Sequence, residues 1–499
     1  MSDLDLCYLS AVEAITAFRA RTLSPVELMR ALIARAETVE PRINAMPMTC
    51  YERAMEQARR AEARYMKNGV RLRPLEGIAV AIKDETAVKG EITTYGSLIY
   101  KDHRDETDDF IVERLKRAGA IIHGRTAAPE FSCASFTHSR QWGVTRNPWN
   151  LEYSPGGSSG GAGASLAAGT TTLANGSDIA GSIRIPASAS GVVGYKPPFG
   201  RVPAAWPFNL DFYCQEGPMA RTVGDCRLFE NVIAGPHPRD VASLRPKLRL
   251  PETSGDIKGW RIAVSMDLGY FEVDPEVARN TEAAVEVFRD LGATVEPVDL
   301  GWTLASLTAA MNYLGHLFGA FIGGNLKAHR FELTDYALDF AEFSQGTTAE
   351  EFLSSLSEVG RMYETLGPVL ERCQMLVCPT LAVPSVKADL DPLRDEVRIN
   401  GKTVEPVLGW CMTYPFNMLS RCPVMSVPSG FASNGVPTGI QIVGRTYDDV
   451  SVFRAAAAYE REAGVLDWQN VRPATISPKE VKPMFRRRPD QGVNGVPRS

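Results

Sequence analysis

One stretch constrains this chain more than any other. From Ser154 to Pro203 it reads SPGGSSGGAGASLAAGTTTLANGSDIAGSIRIPASASGVVGYKPPFGRVP. Glycines and serines crowd Gly156 to Gly163, and an alanine-rich run to Ala168 can form a helix. A small-residue loop feeding a helix N-terminus gathers backbone N–H groups that favour anions. A nucleotide site is not indicated, because no G-x-x-x-x-G-K-[ST] occurs and no G-x-G-x-x-G directly follows a strand. The second half, Gly176-Ser177-Asp178-Ile179-Ala180-Gly181-Ser182, is a tight turn ending in a serine. Successive N–H groups on such a turn converge on one oxygen and form an oxyanion hole. A serine hydroxyl is a weak nucleophile and needs a base. None of the six histidines (His103, His123, His138, His237, His316 and His329) lies in the segment. A histidine brought in by folding and a Ser–Lys arrangement both stay open on these residues alone.

Around this segment the pattern is that of an α/β protein. Ser24-Pro25-Val26-Glu27 is a helix start with a capping box, followed by an apolar face of Leu28, Met29, Leu32, Ile33 and Ala36. Arg53 to Arg64 is a second helix, and residues 1–70 read as an N-terminal helical segment. Gly77 to Lys83 reads as an interior strand, with Ile78, Val80 and Ile82 on one face and small residues on the other. A helix from Asp109 to Arg117 and a strand from Ala120 to His123 follow. The alternation recurs at Arg261–Val264, at a helix from Asp274 to Gly292 and at Ala293–Val295. Late strands fall at Met375–Cys378, Val424–Val427 and Gly439–Val443, and a last helix at Asp448–Glu462. Strands alternating with helices imply a sheet covered on both faces. Residues 71–470 then form the main domain, with a helical insertion at about 302–370. Residues 471–499, which contain Arg486-Arg487-Arg488, read as a solvated tail.

Composition sets outer limits. A chain of 499 residues, 44% hydrophobic and 23% charged, can bury a large core. A formal charge of −5 argues against a nucleic-acid binder held by phosphate contacts. Nine cysteines without a C-x-x-C suit reduced thiols, and the acidic start Met1 to Asp5 lacks the basic region of a secretory signal. Both point to the cytoplasm. The richest apolar run, Leu304 to Gly323, is broken by Asn312 and His316, so no membrane span is expected. No H-E-x-x-H occurs, and neither a metal nor a cofactor is expected.

GGSSGG followed by SDIAGSIRIP resembles the amidase-signature family, whose pattern is close to GGSSGG then TD-x-GGSIR-x-P. The 24-residue interval from Ser158 to Ser182 is the family's. Gly77 to Asp84 resembles its strand ending in the catalytic lysine, and Cys422 to Arg445 its C-terminal block. Ser24–Glu27 and Arg42–Ala45 resemble its N-terminal helices, so the likeness spans about residues 8–465. The resemblance implies an amidase-signature α/β fold: a central mixed, mostly parallel, twisted sheet covered by helices on both faces. It implies Ser182 as the nucleophile that becomes acylated, Ser158 after a cis Gly157–Ser158 bond as proton relay, and a neutral Lys83 as base. A free lysine amine has a pKa of about 10.4, and burial lowers it toward neutrality. The N–H groups of Ile179, Ala180, Gly181 and Ser182 are the implied oxyanion hole, Asp178 and Arg184 hold the turn, and Ser132 and Gly157 fall where substrate is lined. Two positions depart from the pattern: Ser177 stands for its Thr and Ala180 for its Gly. Ala180 requires a backbone without positive φ.

Family substrates are carboxamides, carbamates and related ureas, and one branch is the glutamine-hydrolysing component of a tRNA amidotransferase. That branch usually carries Gln where this chain has Ile185, which weighs against it. Trp206, Phe208, Phe212 and Tyr213 are candidates to hold an aryl or long apolar amide, or to anchor loops. Met311, Tyr313, Leu314, Leu317 and Phe318 of the insertion either cap the cleft or pack its helices. The expectation is an amidase acting on an aryl, aliphatic or carbamate-type C–N bond, with urethane cleavage or glutamine hydrolysis as alternatives. The expected partner is a small-molecule amide, and a homodimer is possible from the family's habit.

Overall fold

Ser24 caps the helix Pro25–Ile43: its side chain accepts from the N–H groups of Val26 and Glu27, and Glu27 reaches back to close the box. The next helix, Tyr51–Tyr65, buries Ala54, Ala58, Ala61 and Tyr65. These contacts belong to a computed structural model that describes residues 2–252, 255–465, 467–468 and 470–474. The expected tail, with Arg486 to Arg488, lies outside the described residues.

Among the described residues eleven strands form one sheet. In chain order they are β1 (Met48–Thr49), β2 (Ala79–Lys83), β3 (Ile121–Thr126), β4 (Leu173–Asp178), β5 (Val193–Lys196), β6 (Gln215–Ala220), β7 (Arg261–Val264), β8 (Thr294–Pro297), β9 (Met375–Pro379), β10 (Val424–Phe431) and β11 (Pro437–Gly444). Their spatial order is β1-β3-β2-β4-β6-β5-β10-β11-β9-β7-β8. The sheet is mixed, as the sequence suggests, but it is not mostly parallel. Four neighbour pairings are parallel and six antiparallel. Of the six antiparallel pairings only β5–β6 and β10–β11 join consecutive strands, and the other four bring together strands distant in the chain. Consecutive antiparallel strands can be joined by a short turn, such as Ala432–Val436 between β10 and β11, whereas parallel pairs need a crossover.

Alternation along a strand separates two cores. Met375 and Val377 of β9 join Ile440 and Ile442 in one cluster with Phe288 and Phe453 of the helices Pro275–Asp290 and Asp449–Ala463. Leu376 and Cys378 join Val424 and Val443 in another, with Ala310 and Leu366 of the helices Ala305–Leu314 and Ala349–Arg372. The sheet is therefore covered on both faces. The segment expected to be a helical insertion carries the helices Ala305–Leu314, Ala320–Gly323, Leu326–His329, Asp335–Gly346 and Ala349–Arg372, with a π-helical turn at Gly315–Gly319. Among the described residues no helix is long and apolar enough to cross a membrane.

The middle strands β4, β5 and β6 escape an alternation pattern because each carries a glycine where a neighbour leaves no room. A Cβ on Gly176 would lie 2.8 Å from Ser159 Oγ, one on Gly194 2.8 Å from Ala187 Cβ, and one on Gly217 2.3 Å from the Tyr195 carbonyl oxygen. Close helix–strand approach at the sheet centre explains the small residues there, and it is what gathers the site.

Candidate active site

Lys83 ends β2 and is fully buried. Its backbone N–H donates to Asn175 Oδ1 on β4 at 2.9 Å, which fixes the strand end against its neighbour. Its Nζ lies 2.7 Å from Ser158 Oγ and 2.9 Å from Ser177 Oγ. A third group meets the amine: Glu85 Oε1 stands 3.0 Å away.

Ser158 follows a cis peptide bond from Gly157. The loop is pressed so tightly on Phe136 that a Cβ at Gly157 would lie 2.3 Å from the Phe136 carbonyl oxygen. Beyond it, the helix Gly160–Ala168 begins. The N–H of Ser159 donates to the Ser182 carbonyl at 3.2 Å, tying the two serine segments together. Ser182 itself is 5% exposed and lines a cleft. The structure thus brings the Lys83, Ser158 and Ser182 segments to one place, as the sequence suggests.

The turn from Asp178 to Arg184 is held by a buried ion pair. Arg184 Nε donates to Asp178 Oδ2 at 2.9 Å and its Nη2 to Oδ1 at 3.0 Å, with both side chains at 0% exposure. Arg184 also donates to the Thr413 carbonyl, Gln441 Oε1 and Asn417 Oδ1. Burial alone would push the Asp178 carboxyl up, but the Arg184 charge and these hydrogen bonds outweigh it and hold it below the usual range. Gly181 has φ of +125°, and a Cβ there would lie 1.9 Å from Thr413 Oγ1, so only glycine fits. Ala180 avoids positive φ, as its identity requires, and its carbonyl accepts from Thr413 Oγ1 at 2.7 Å.

One member of the expected oxyanion hole is differently engaged. The Gly181 N–H donates to Asp178 Oδ1 at 2.8 Å, so it is occupied by the carboxylate that orders the turn. Among the described residues the N–H groups of Ile179, Ala180 and Ser182 have no protein partner. These three are the donors left to meet an oxygen in the cleft.

The cleft opens to solvent at its mouth, and its empty space, open solvent included, comes to about 870 Å³. Its floor is Ser182 with Ile179, Ala180 and Ile185, and its sides include Ser132, Met311, Leu314, Phe318, Phe340, Leu393, Val407 and Leu408. Met311, Leu314 and Phe318 come from the insertion, which therefore does wall the cleft. Tyr313 instead stacks on Tyr213 with ring centroids 3.6 Å apart, and Leu317 is exposed. Ser132 lines the cleft and donates its hydroxyl proton to Glu85. None of the four aromatic candidates lines the cleft, and Phe212 is 40% exposed and packs on Phe199. Trp206 is 84% exposed and outside the lining, because no element covers its loop. Phe208 packs on Phe318 and Phe321, behind the wall rather than in it. Gly157, too, lies outside the lining. None of the six histidines lines the cleft; His123 is buried against Thr171, and burial pushes it down to about 4.

Sequence reasoning missed Glu85 and the far wall of Phe340, Leu393, Val407 and Leu408. The wall residues sit on loops and helices distant in sequence, with no local signal. For Glu85, the faint signal is a third charged residue in Lys83-Asp84-Glu85 directly after a buried strand.

A family model described as Amidase matches residues 27–453. The chain is 35% identical to an acylamidase of Rhodococcus erythropolis over 95% of its own length and 99% of the relative's. It is 34% identical to a glutamyl-tRNA(Gln) amidotransferase component of Chloroflexus aggregans, covering 94% of this chain and 99% of that one. A solved bacterial aryl acylamidase of the amidase signature enzymes superposes with a TM-score of 0.87 at 30% identity, covering 95% of this chain and 99% of the other.

Proposed function

The chain belongs to the amidase-signature family of serine-dependent enzymes that hydrolyse carbon–nitrogen bonds, and from that premise we propose that it cleaves an apolar carboxamide through an acyl-enzyme on Ser182. The observation that carries this reading is Lys83 Nζ at 2.7 Å from Ser158 Oγ, beside the Ser182 that floors an apolar cleft.

The chemistry follows from that placement. Ser182 Oγ attacks the amide carbon while its proton passes to Ser158, whose own proton passes to the Lys83 amine. The amide oxygen gains the electron pair of the C=O bond, and the free N–H groups of Ile179, Ala180 and Ser182 face the developing charge. Collapse of the tetrahedral adduct restores the C=O and expels the amine, which takes the proton back from Lys83 through Ser158. Water then repeats the sequence on the ester: it attacks the acyl carbon, Lys83 takes its proton through Ser158, and Ser182 leaves with a proton. No net proton is consumed within the site. Donors placed at the oxyanion position are each worth about 3 kcal/mol of barrier.

The wall favours a substrate with an aryl or long alkyl group over glutamine. Glutamine carries an α-carboxylate and an α-ammonium, and a site that selects it must pair them. No Lys or Arg is among the residues lining the cleft; its charged members are Asp339 and Glu405, and Glu405 already accepts from the N–H groups of Val407, Leu408 and Gly409. Carbamates share the acylation step and fit the same cleft. Purified protein assayed against N-acyl anilides, aliphatic amides, aryl carbamates and glutamine tests this. Hydrolysis of anilides that Ser182→Ala abolishes is expected; ammonia released from glutamine, with anilides inert, would reverse the assignment.

A further inference from the structure

The triad reading leaves one charged side chain at the centre of the site without a role. Glu85 follows the catalytic lysine by two residues, its side chain is only 14% exposed, and its Oε1 stands 3.0 Å from Lys83 Nζ. Its other oxygen accepts from Ser132, a residue of the cleft wall. The carboxylate is thus held by the substrate wall through one oxygen and stands at ion-pair distance from the base with the other. Buried strand ends are normally closed by backbone or neutral side chains, and a buried carboxylate needs compensation.

Building on the acyl-enzyme reading, we propose that Glu85 is a positioning residue of this hydrolase: its carboxylate stands against the Lys83 amine and stabilises the ammonium formed when the proton of Ser182 arrives. Attack creates a negative oxygen in the oxyanion hole and a positive nitrogen on Lys83. A carboxylate already in place offsets the second charge without reorganisation, which is the general advantage of preorganised sites. The same carboxylate faces the amine before attack as well as after it, so its removal is read in the pH dependence of the rate. Ser132 keeps the carboxylate from turning into the cleft, where it would repel a developing oxyanion.

The neighbours around Glu85 support a single negative charge there. Glu216 on β6 lies opposite Ser177 in the strand register, and burial, with the charge of Glu85, pushes its carboxyl well up, toward the neutral acid. Burial raises Asp109, the N-cap of the helix Phe110–Ala118, to about 6. Burial likewise keeps the Cys214 thiol and the Tyr95 phenol in their protonated forms. Arg125 turns its guanidinium to the Lys83 and Thr86 carbonyls rather than to Glu85. For Glu85 itself burial works upward, but the Lys83 charge and the hydroxyls of Ser132 and Ser177 outweigh it and hold the carboxyl down. Glu85 is the acid held ionised beside Lys83, whereas Glu216 and Asp109 next to it are biased toward neutrality.

The test is the pH dependence of kcat/KM on an anilide, paired with the pH dependence of inactivation by an aryl fluorophosphonate, which reports Ser182 reactivity without substrate binding. Glu85→Gln keeps shape and removes charge. It is expected to move the acidic limb of both profiles down by about one pH unit or more and to lower the plateau about tenfold or more. Glu85→Asp keeps the charge at shorter reach and is expected to fall between wild type and Glu85→Gln in both respects. Glu216→Gln, which removes an acid already biased to neutrality, is expected to leave the limb in place. A Glu85→Gln protein whose limb stays at the wild-type pH, or a limb that moves with Glu216→Gln instead, overturns the proposal. Should Ser182→Ala still react with the fluorophosphonate and turn over the anilide, the acyl-enzyme reading itself is wrong, which is a separate outcome.

Discussion

The turn that carries Ser182 and the wall that faces it are built on opposite principles. From Ser177 to Arg184 each charged or hydroxylic side chain but Ser182 has a named protein partner, and the Asp178–Arg184 pair alone reaches Thr413, Asn417 and Gln441. Across the cleft, Met311, Leu314, Phe318 and Leu393 offer only apolar surface, and Leu393 is 50% exposed. A polar network is satisfied in one geometry, so the turn tolerates little change. An apolar wall accepts many side chains of similar volume. On the proposed reading, directional bonds specify the chemistry, and shape the choice of substrate.

If that contrast holds, substitutions on the two sides should differ in kind as well as in size. Ser182→Ala or Lys83→Ala is expected to lower kcat/KM on an anilide by about 10⁴-fold or more with the fold intact, checked by steady-state assay and circular dichroism. Next in size is Asp178→Ala, which strands the Arg184 guanidinium in a fully buried setting. It is expected to cost about 3–5 kcal/mol of stability, read from denaturant unfolding. An Asp178 variant as stable as wild type would break the comparison.

The same pair sharpens it through pH. The folded-state carboxyl of Asp178 lies below its unfolded value, so its contribution is present above about pH 4 and is lost as pH falls through the folded value. The stability gap between wild type and Asp178→Asn should close on acidification below about pH 4, as followed by urea midpoints across that range.

The smallest expected effect lies on the wall. Phe318→Ala and Leu314→Ala should raise KM for a bulky aryl amide about tenfold while leaving kcat for a small acetamide nearly unchanged. A wall substitution that lowered kcat for every substrate alike would mean that the wall, too, holds the chemistry.

The same contrast decides what could be read from residues alone. The proposed roles of Ser158, Ser182 and Lys83 came from the family pattern that their segments resemble, and the capping box at Ser24 was legible because it is local. The strands β4 to β6 were not, because Gly176, Gly194 and Gly217 answer to neighbours far along the chain rather than to alternation. The sheet's balance of parallel and antiparallel pairs depends on which strands become neighbours, and that is a tertiary outcome. The occupied N–H of Gly181 depends on how the Asp178 side chain turns, which no spacing reveals. Trp206 misled because an aromatic residue in a loop after the signature can equally face solvent, as it does.

The most direct measurement is intact-protein and peptide mass spectrometry after treatment with an aryl fluorophosphonate. One adduct per chain, located on Ser182, absent in Ser182→Ala and formed far more slowly in Lys83→Ala, is the predicted result. An adduct on another serine, or labelling indifferent to both substitutions, would contradict it.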